Sequence, residues 1–483
     1  MIMDTTKLES FIFDKMAATR LPGLSIALVR DGNVVYARGF GQADIEHNRA
    51  ATPNTLYGAA SITKSFVAIA ILQLVERGLI KLGDPVEKFL SWPIKSTDGV
   101  VTIEHLLTHT SGLPALGYIE AILRHAHGIG GANLPIAAPR DIATFAQGSE
   151  DWAESPAGRR WFYLNEGYVL LGEIVGKITG TPYEQYVTEH VLKPIGMSSS
   201  FFAEADVAAY GDDVAVPYVL PKDGVAPPRP GRYLYGVLGA DAALITNVLD
   251  LGRYVSMFLA RGRGVMSHDS FDAIIRPRVA LPNEPMPQLW GEQGGSPQTS
   301  AGHTSAVPLP RPSHYGLGLS ISDDFLGESL IGHSGSLIVT SSYFGFMPRS
   351  NVGVAVLGNG NGYGAPAIAK VALAILLGRD PARELAFVRT ENLLTELSGQ
   401  YETFRGTLRG KVVREGDFMR LEYVGGDQPP GGAIFVPEFL GGEEPRFFTI
   451  CDGARLPAVF RRKPDGNIEL IFERYKLRRT GPL

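Results

Sequence analysis

Ser61-Ile62-Thr63-Lys64 places a hydroxyl and an ammonium three residues apart. On a helix that spacing puts both on one face, so the lysine can reach the serine oxygen. A free serine hydroxyl is a weak nucleophile and needs a neighbouring base. At a helix N-terminus the backbone field also favours negative charge developing on that oxygen. A solvated lysine and an N-capping serine satisfy the same spacing, so the tetrad alone decides nothing. Tyr163-Leu164-Asn165 adds a phenol and an amide. A phenol moves protons best beside a cation that stabilises the phenolate, and Lys64 is such a cation. The Asn165 amide suits orienting Lys64 or a substrate carbonyl. His333-Ser334-Gly335-Ser336 then opens a β-rich stretch, Leu337–Tyr343. Small residues such as Gly335 let a substrate backbone approach there and leave N–H groups free to donate. The backbone N–H groups of Ser61 and Ser336 form the natural pair for an oxyanion.

Positioning these residues requires a sheet and a buried helix. Leu8–Met16 has helical spacing, and the β-rich segments Leu24–Arg30 and Asn33–Gly39 flank the hairpin signal Asp31-Gly32. A helix is expected from Ser61 to about Arg77, closed by Gly78. Its Phe66, Val67, Ile69, Ile71, Leu72, Leu74 and Val75 leave almost no polar face, the mark of a helix buried in a large domain. Helices are also expected over Asn165–Thr179 and Pro182–Val191, with a long loop or flap over Leu281–Pro312. Strand patterns return at Tyr315–Ile321, Leu337–Phe346 and Val352–Leu357, before a last helix from Ala365 to Leu377. Strands at both ends with helices between them imply one sheet built from both ends of this region and a helical layer or subdomain from its middle. After Asp380, seven short strands are expected: Tyr401–Thr407, Gly410–Arg414, Phe418–Tyr423, Ala433–Pro437, Arg446–Cys451, Ala458–Arg462 and Ile468–Leu477. Their regular spacing reads as a separate small β-barrel.

The order Ser-x-x-Lys, Tyr-x-Asn, His-x-Gly resembles class C β-lactamases, D-Ala-D-Ala carboxypeptidases and related esterases and D-aminopeptidases. Leu106-Leu107-Thr108-His109-Thr110-Ser111-Gly112-Leu113-Pro114, Pro194-Ile195-Gly196-Met197 and Tyr315-Gly316-Leu317-Gly318 add to the resemblance. It implies an α+β fold, an antiparallel sheet flanked by helices with a helical subdomain, over residues 1–380. Residues 381–483 resemble a lipocalin-like barrel appended to some peptidase relatives. The implied mechanism is an acyl-enzyme on Ser61, with Lys64 and Tyr163 handling the proton and Asn165, His333, Gly335 and Ser336 lining the substrate and oxyanion site. No cofactor and no metal are required. At the His333 position β-lactamases usually carry lysine, a permanent cation suited to a substrate carboxylate, whereas an ordinary imidazole is mostly neutral at pH 7. The expected activity is therefore hydrolysis of peptide or amide bonds, D-residue peptides included. The alternatives are a promiscuous carboxylesterase with weak β-lactamase activity, and a non-catalytic penicillin-binding-like sensor.

Composition excludes other classes. The 483 residues are 45% hydrophobic and 20% charged with a net charge of -5, so no basic footprint for nucleic acid exists. The basic cluster Arg474, Lys476, Arg478, Arg479 reads as the wet face of a strand. No apolar run reaches membrane-spanning length, and Met1–Ser10 lacks the apolar core of a secretory signal, so a soluble cytoplasmic protein is expected. The lone Cys451 forbids an internal disulfide and reads as a small buried thiol. His125 and His127 lack an acidic or cysteine partner at ligand spacing, which argues against a metal site. Gly358-Asn359-Gly360-Asn361-Gly362-Tyr363 has tyrosine where a dinucleotide loop needs its third glycine, and reads as a tight strand-to-helix turn. The expected partners are a small-molecule or peptide substrate and, with the barrel as the candidate builder, other copies in a homo-oligomer.

Overall fold

The computed structural model describes residues 4–90, 94–221, 226–282, 313–424 and 432–483. The described residues divide into two compact units, the first ending at Arg379 and the second starting at Asp380.

Helix α1 (Thr5–Thr19) is capped by Asp4, whose carboxylate accepts from Lys7 N at 3.0 Å. It buries Leu8, Ile12 and Met16, one residue per turn. Strands β1 (Gly23–Arg30) and β2 (Asn33–Asp44) follow, joined by Asp31 and Gly32, both at positive φ as the hairpin signal requires. Helix α2 (Thr63–Glu76) ends in a Schellman motif: Gly78 N–H donates to Val75 O and Leu79 N–H to Leu74 O, with Gly78 at φ +69°. Helices α3 (Asn165–Thr179) and α4 (Val248–Leu259) belong to the middle of the chain. Strands β3 (Ser320–Phe325), β4 (Glu328–Leu337), β5 (Thr340–Met347) and β6 (Val352–Gly358), then helix α5 (Ala365–Leu376), complete the unit.

The sheet is antiparallel throughout. Among the described residues its order is Arg49–Ala50, β2, β1, β6, β5, β4, β3, His314–Tyr315, Val279–Ala280. Strand β1 pairs with β6 (Ala27 with Ala355), so strands from both ends of this unit share one sheet as the strand pattern implied. Helix α4 packs on β1, β2, β5 and β6, while α5 covers β1, β5 and β6 with α1 beside it. Twelve of the fourteen residues of α2 are buried, which its all-round apolar sequence foretold.

Several boundaries differ from expectation. Ser61 lies before α2, in the 3₁₀ turn Ala60–Ile62, and the α-helix itself starts at Thr63. Tyr315–Ile321 is two strands, broken at Gly316–Leu319. There Gly318 (φ +76°) passes so close to α2 that a Cβ would sit 2.9 Å from Ala68 Cβ. Leu337–Phe346 is the end of β4 and most of β5, turned at Ile338-Val339. That turn carries no Gly, Pro or Asn signal; Leu337 and Val339 are instead buried. His333–Ser336 consequently closes a strand rather than opening one. The segment Leu281–Pro312 lies outside the described residues from position 283 onward.

The second unit opens with the helices Pro381–Glu384 and Ala386–Leu397, which were not among the expected elements. Eight antiparallel strands then close into a barrel: Gly399–Glu402, Arg409–Glu415, Phe418–Tyr423, Ala433–Phe439, Arg446–Cys451, Ala454–Arg462, Ile468–Phe472 and Tyr475–Gly481. Ile468–Leu477 proves to be a hairpin turned at Glu473 (φ +53°) and Arg474, which supplies the eighth strand. Tyr401–Thr407 is a strand only to Glu402. Alternate residues such as Met419, Leu421, Phe435, Phe447, Phe460 and Leu470 fill the interior, so it is a packed core. Lys476 and Arg478 lie on a solvated face and both reach Glu469. Cys451 is exposed, contrary to expectation, because it ends its strand at the turn Asp452-Gly453.

Candidate active site

The turn that carries Ser61 is held under strain by tight packing. Ala60 has φ +50°, a left-handed conformation that costs a residue with a Cβ about 1 kcal/mol. Ala59 N–H donates to Leu244 O at 2.8 Å, and Ser342 Oγ donates to Ala59 O at 2.6 Å. Thr63 Oγ1 donates to Ala60 O at 2.7 Å and accepts from Leu244 N. Against this turn lies Gly335 of β4. A Cβ at Gly335 would stand 2.2 Å from Ser342 Oγ and 2.3 Å from Ala59 O, so only glycine lets the strand approach.

Lys64 is fully buried, and its ammonium spends all three N–H donors inside the protein. Nζ donates to Ser61 Oγ at 3.1 Å, to Asn165 Oδ1 at 2.8 Å and to Asp241 O at 2.9 Å. Asn165 Oδ1 thus meets Lys64, one of the two options the sequence left open, and the residue also lines the cleft. Lys64 Nζ also lies 4.9 Å from the centre of the Tyr163 ring, while Tyr163 Oη has no hydrogen-bond partner among the described residues. The Asp241 carbonyl is fixed by its own side chain. Oδ2 accepts from Tyr118 Oη at 2.6 Å and Oδ1 from Gly239 N at 3.1 Å.

His333 is buried and its ring is consumed by protein partners. Nδ1–H donates to Ser334 O at 2.6 Å, which leaves Nε2 to accept from Tyr315 Oη at 2.9 Å. Burial first, then the Lys64 charge, pushes its pKa down to about 3. It is a neutral group at every physiological pH. Strand β3 pairs with β4 no further than Gly332, so, among the described residues, positions 333–337 have a strand partner on the β5 side alone. Ser334 and Ser336 are exposed along that free edge.

Other residues at the site were not singled out for a role in the sequence. His109, at φ +59°, lies in the small polar run Thr108–Gly112. Its carbonyl accepts from Phe162 N at 2.8 Å and its Nδ1 from Leu164 N at 3.0 Å. Its ring lies tilted by 36° against that of Tyr163, with 4.2 Å between centroids. Burial, then the charge of Lys64, holds the His109 pKa well below its ordinary value. Glu166 follows Asn165 on α3 and is buried; Oε1 accepts from Leu116 N at 3.1 Å. Oε2 has no partner among the described residues, and burial, seconded by the Asp241 charge, pushes the carboxyl up to about 7.

Ser61, Tyr163, Asn165, His333, Ser334 and Ser336 line one cleft of about 1120 Å³, together with Trp161, Tyr315 and an apolar wall of Ile119, Leu123, Leu220, Leu337 and Ile338. The other motifs stay outside this chemistry. His125 is exposed whereas His127 is buried with Nδ1 on Leu123 O, and among the described residues no His, Cys, Asp and Glu group could hold a metal. Asn359 ties Gly23, Gln42 and Ala43 together through its amide, so the glycine-rich run around it is a structural turn. No described helix is long and apolar enough to cross a membrane.

Comparison with known proteins bears on both units. The Beta-lactamase family pattern matches residues 8–378, and the pattern of the Pab87 octamerisation domain matches residues 381–478. The structure of the octameric penicillin-binding protein homologue from Pyrococcus abyssi is 39% identical, covers 99% of this chain and 100% of that one, and superposes with a TM-score of 0.88. Protein flp of Staphylococcus aureus (strain MW2) is 26% identical over 359 residues, 74% of this chain and 63% of that protein, so the chain spans less than two thirds of it. A D-stereospecific amidohydrolase from Streptomyces sp. shares the fold at 21% identity and a TM-score of 0.59, over 78% of this chain and 100% of that one.

Proposed function

The chain belongs to the β-lactamase and penicillin-binding-protein-like family of serine hydrolases, and from that premise we propose that it hydrolyses peptide or amide bonds through an acyl-enzyme on Ser61. The observation that carries the reading is the placement of Lys64 Nζ between Ser61 Oγ, Asn165 Oδ1 and the Asp241 carbonyl in a buried site. Ser61 Oγ attacks the substrate carbonyl carbon as its proton passes to the Lys64–Tyr163 pair. The oxyanion that forms is met by the backbone N–H groups of Ser61 and Ser336. The C–N bond then breaks, the pair returns the proton to the leaving amine, and water releases the acyl group by the reverse route. Lys64 and Tyr163 act as one coupled unit, so the base is the pair. Asn165 and the Asp241 carbonyl hold Lys64 in place.

His333 supports peptides over β-lactams. A neutral ring with both nitrogens engaged offers no cation to a carboxylate beside the scissile bond. The test is hydrolysis of matched D- and L-aminoacyl p-nitroanilides and p-nitrophenyl esters by wild type and Ser61→Ala. Amide turnover that vanishes in the variant is expected; turnover of esters alone would replace the peptidase reading with a carboxylesterase. The match of residues 381–478 to an octamerisation domain supports a homo-oligomer built through the barrel. A monomeric mass by light scattering would rule that out.

A further inference from the structure

Only three of the described residues lining the cleft carry a charged side chain: Glu120, Arg124 and Arg229. Neither arginine has a carboxylate partner among the described residues, and Glu120, one helical turn before Arg124, pairs with neither. Each arginine instead spends one donor on the same short loop. Arg124 Nη2 donates to Ile129 O at 3.3 Å, and Arg229 Nη2 donates to His127 O. Carbonyls two residues apart lie within roughly 7 Å of each other, so both guanidiniums are anchored to one short loop at the wall of the same cleft. Among the described residues no other partner takes the remaining donors of either, which form a planar array matched to carboxylate oxygens.

Different elements carry the two arginines and the reacting groups. The arginines stand on the helix Tyr118–Ala126 and on Arg229–Pro230, not on the elements that carry Ser61, Lys64, Tyr163 or Ser336. The cleft, at about 1120 Å³, exceeds what a single small molecule fills and has room for several residues of a chain. With His333 neutral, the positive charge among the described residues lining the cleft sits here.

We infer that Arg124 and Arg229 form an anion subsite that binds a carboxylate of the substrate several bonds away from the scissile carbonyl. The inference rests on the hydrolase reading for its site but concerns selectivity. Two sources share the chemistry: the C-terminal carboxylate of a short peptide and an acidic side chain within a longer one.

The test compares quenched fluorescent peptides built on one neutral sequence with an amidated C-terminus. One member has a free C-terminus, and others carry a single Gln→Glu change at each position in turn. kcat/KM is measured with wild type and with the Arg124→Gln/Arg229→Gln double variant. Kd is measured with Ser61→Ala protein, with and without the same two substitutions. At least one anionic peptide should exceed the neutral parent by roughly tenfold in wild type, the scale of a charge-assisted contact. In the double variant that ratio should fall to within about twofold, and Arg124→Lys/Arg229→Lys should restore part of it. A preference for the free C-terminus identifies an end-recognising enzyme; a preference for an internal glutamate identifies an acidic side chain. Absence of any anionic preference, in rate and in Kd, overturns the subsite, as does a preference that survives the double variant. If wild type cleaves no peptide while the Ser61→Ala protein binds anionic ones through its arginines, the subsite stands and the peptidase reading falls. If all peptides are cleaved equally, the hydrolase reading stands and the subsite falls.

Discussion

His109 grips the chain on both sides of Tyr163. Its carbonyl takes the Phe162 N–H, its Nδ1 takes the Leu164 N–H, and its ring lies 4.2 Å from the Tyr163 ring. A residue held at three points loses little further freedom on reaching a transition state. His109 is thereby a positioning residue for Tyr163.

Replacing His109 tests that grip. His109→Leu removes the Nδ1 acceptor and puts a bulky residue at φ +59°. A fall in kcat of roughly 100-fold is expected, with KM changed far less. Asparagine tolerates the left-handed conformation and offers Oδ1 to Leu164 N–H, so His109→Asn should recover much of the loss. Equal loss in both variants, tracking thermal stability, would mark a merely structural residue.

Lys64→Ala and Tyr163→Phe should each slow acylation by about 10³-fold or more, read by the rate of fluorophosphonate labelling at Ser61. In a coupled pair the double variant should be little worse than the worse single one. Normal labelling in either single variant would remove that residue from the proton path.

Gly335→Ala presses a methyl group into Ser342 Oγ and Ala59 O, so the turn bearing Ser61 must move. Activity should drop at least 100-fold, and stability by roughly 2 kcal/mol. A variant with wild-type rate and melting temperature would show that the close approach does not set the geometry of Ser61.

Glu166 makes a pH-dependent contribution of predictable sign. Its folded pKa, pushed up to about 7, lies above the ordinary glutamate value. The folded state therefore binds the proton more tightly, and stability falls as pH rises from the ordinary value through about 7. Glu166→Gln keeps an oxygen for Leu116 N–H and removes the charge. At pH 8 it should be more stable than wild type by about 3 kcal/mol, an upper figure, with no difference at pH 4. Urea denaturation at the two pH values decides it; a gain at pH 4 equal to that at pH 8 would refute the buried charge.

His333 works in the opposite direction. Its folded pKa, near 3, lies below that of an ordinary imidazole, so its contribution is full above about 6.5 and is lost as pH falls towards 3. His333→Gln should flatten the acid side of the stability profile over that window. An unchanged acid limb would mean that His333 is not buried neutral.

Much of this protein was legible in the residues themselves, because periodicity and local turn chemistry are sequence properties. The hairpin at Asp31-Gly32, the wholly apolar α2 with its Gly78 close, and α3 starting at Asn165 all follow from short-range rules. So did the pairing of Ser61 with Lys64, since a spacing of three along a helical path brings side chains together. Long-range packing decided the rest. The Ile338-Val339 turn is made by burying its neighbours, not by a turn residue, and Ser61 sits in a 3₁₀ turn because Gly335 and Ser342 press against Ala59. The third acceptor for Lys64 is a backbone carbonyl 177 positions away, which no side-chain type announces. His109 became visible as the clamp on Tyr163 only when a chain separation of more than fifty residues closed to a hydrogen bond. His333 was legible as a departure from lysine. Its neutrality came from burial and from Tyr315, both products of the tertiary fold.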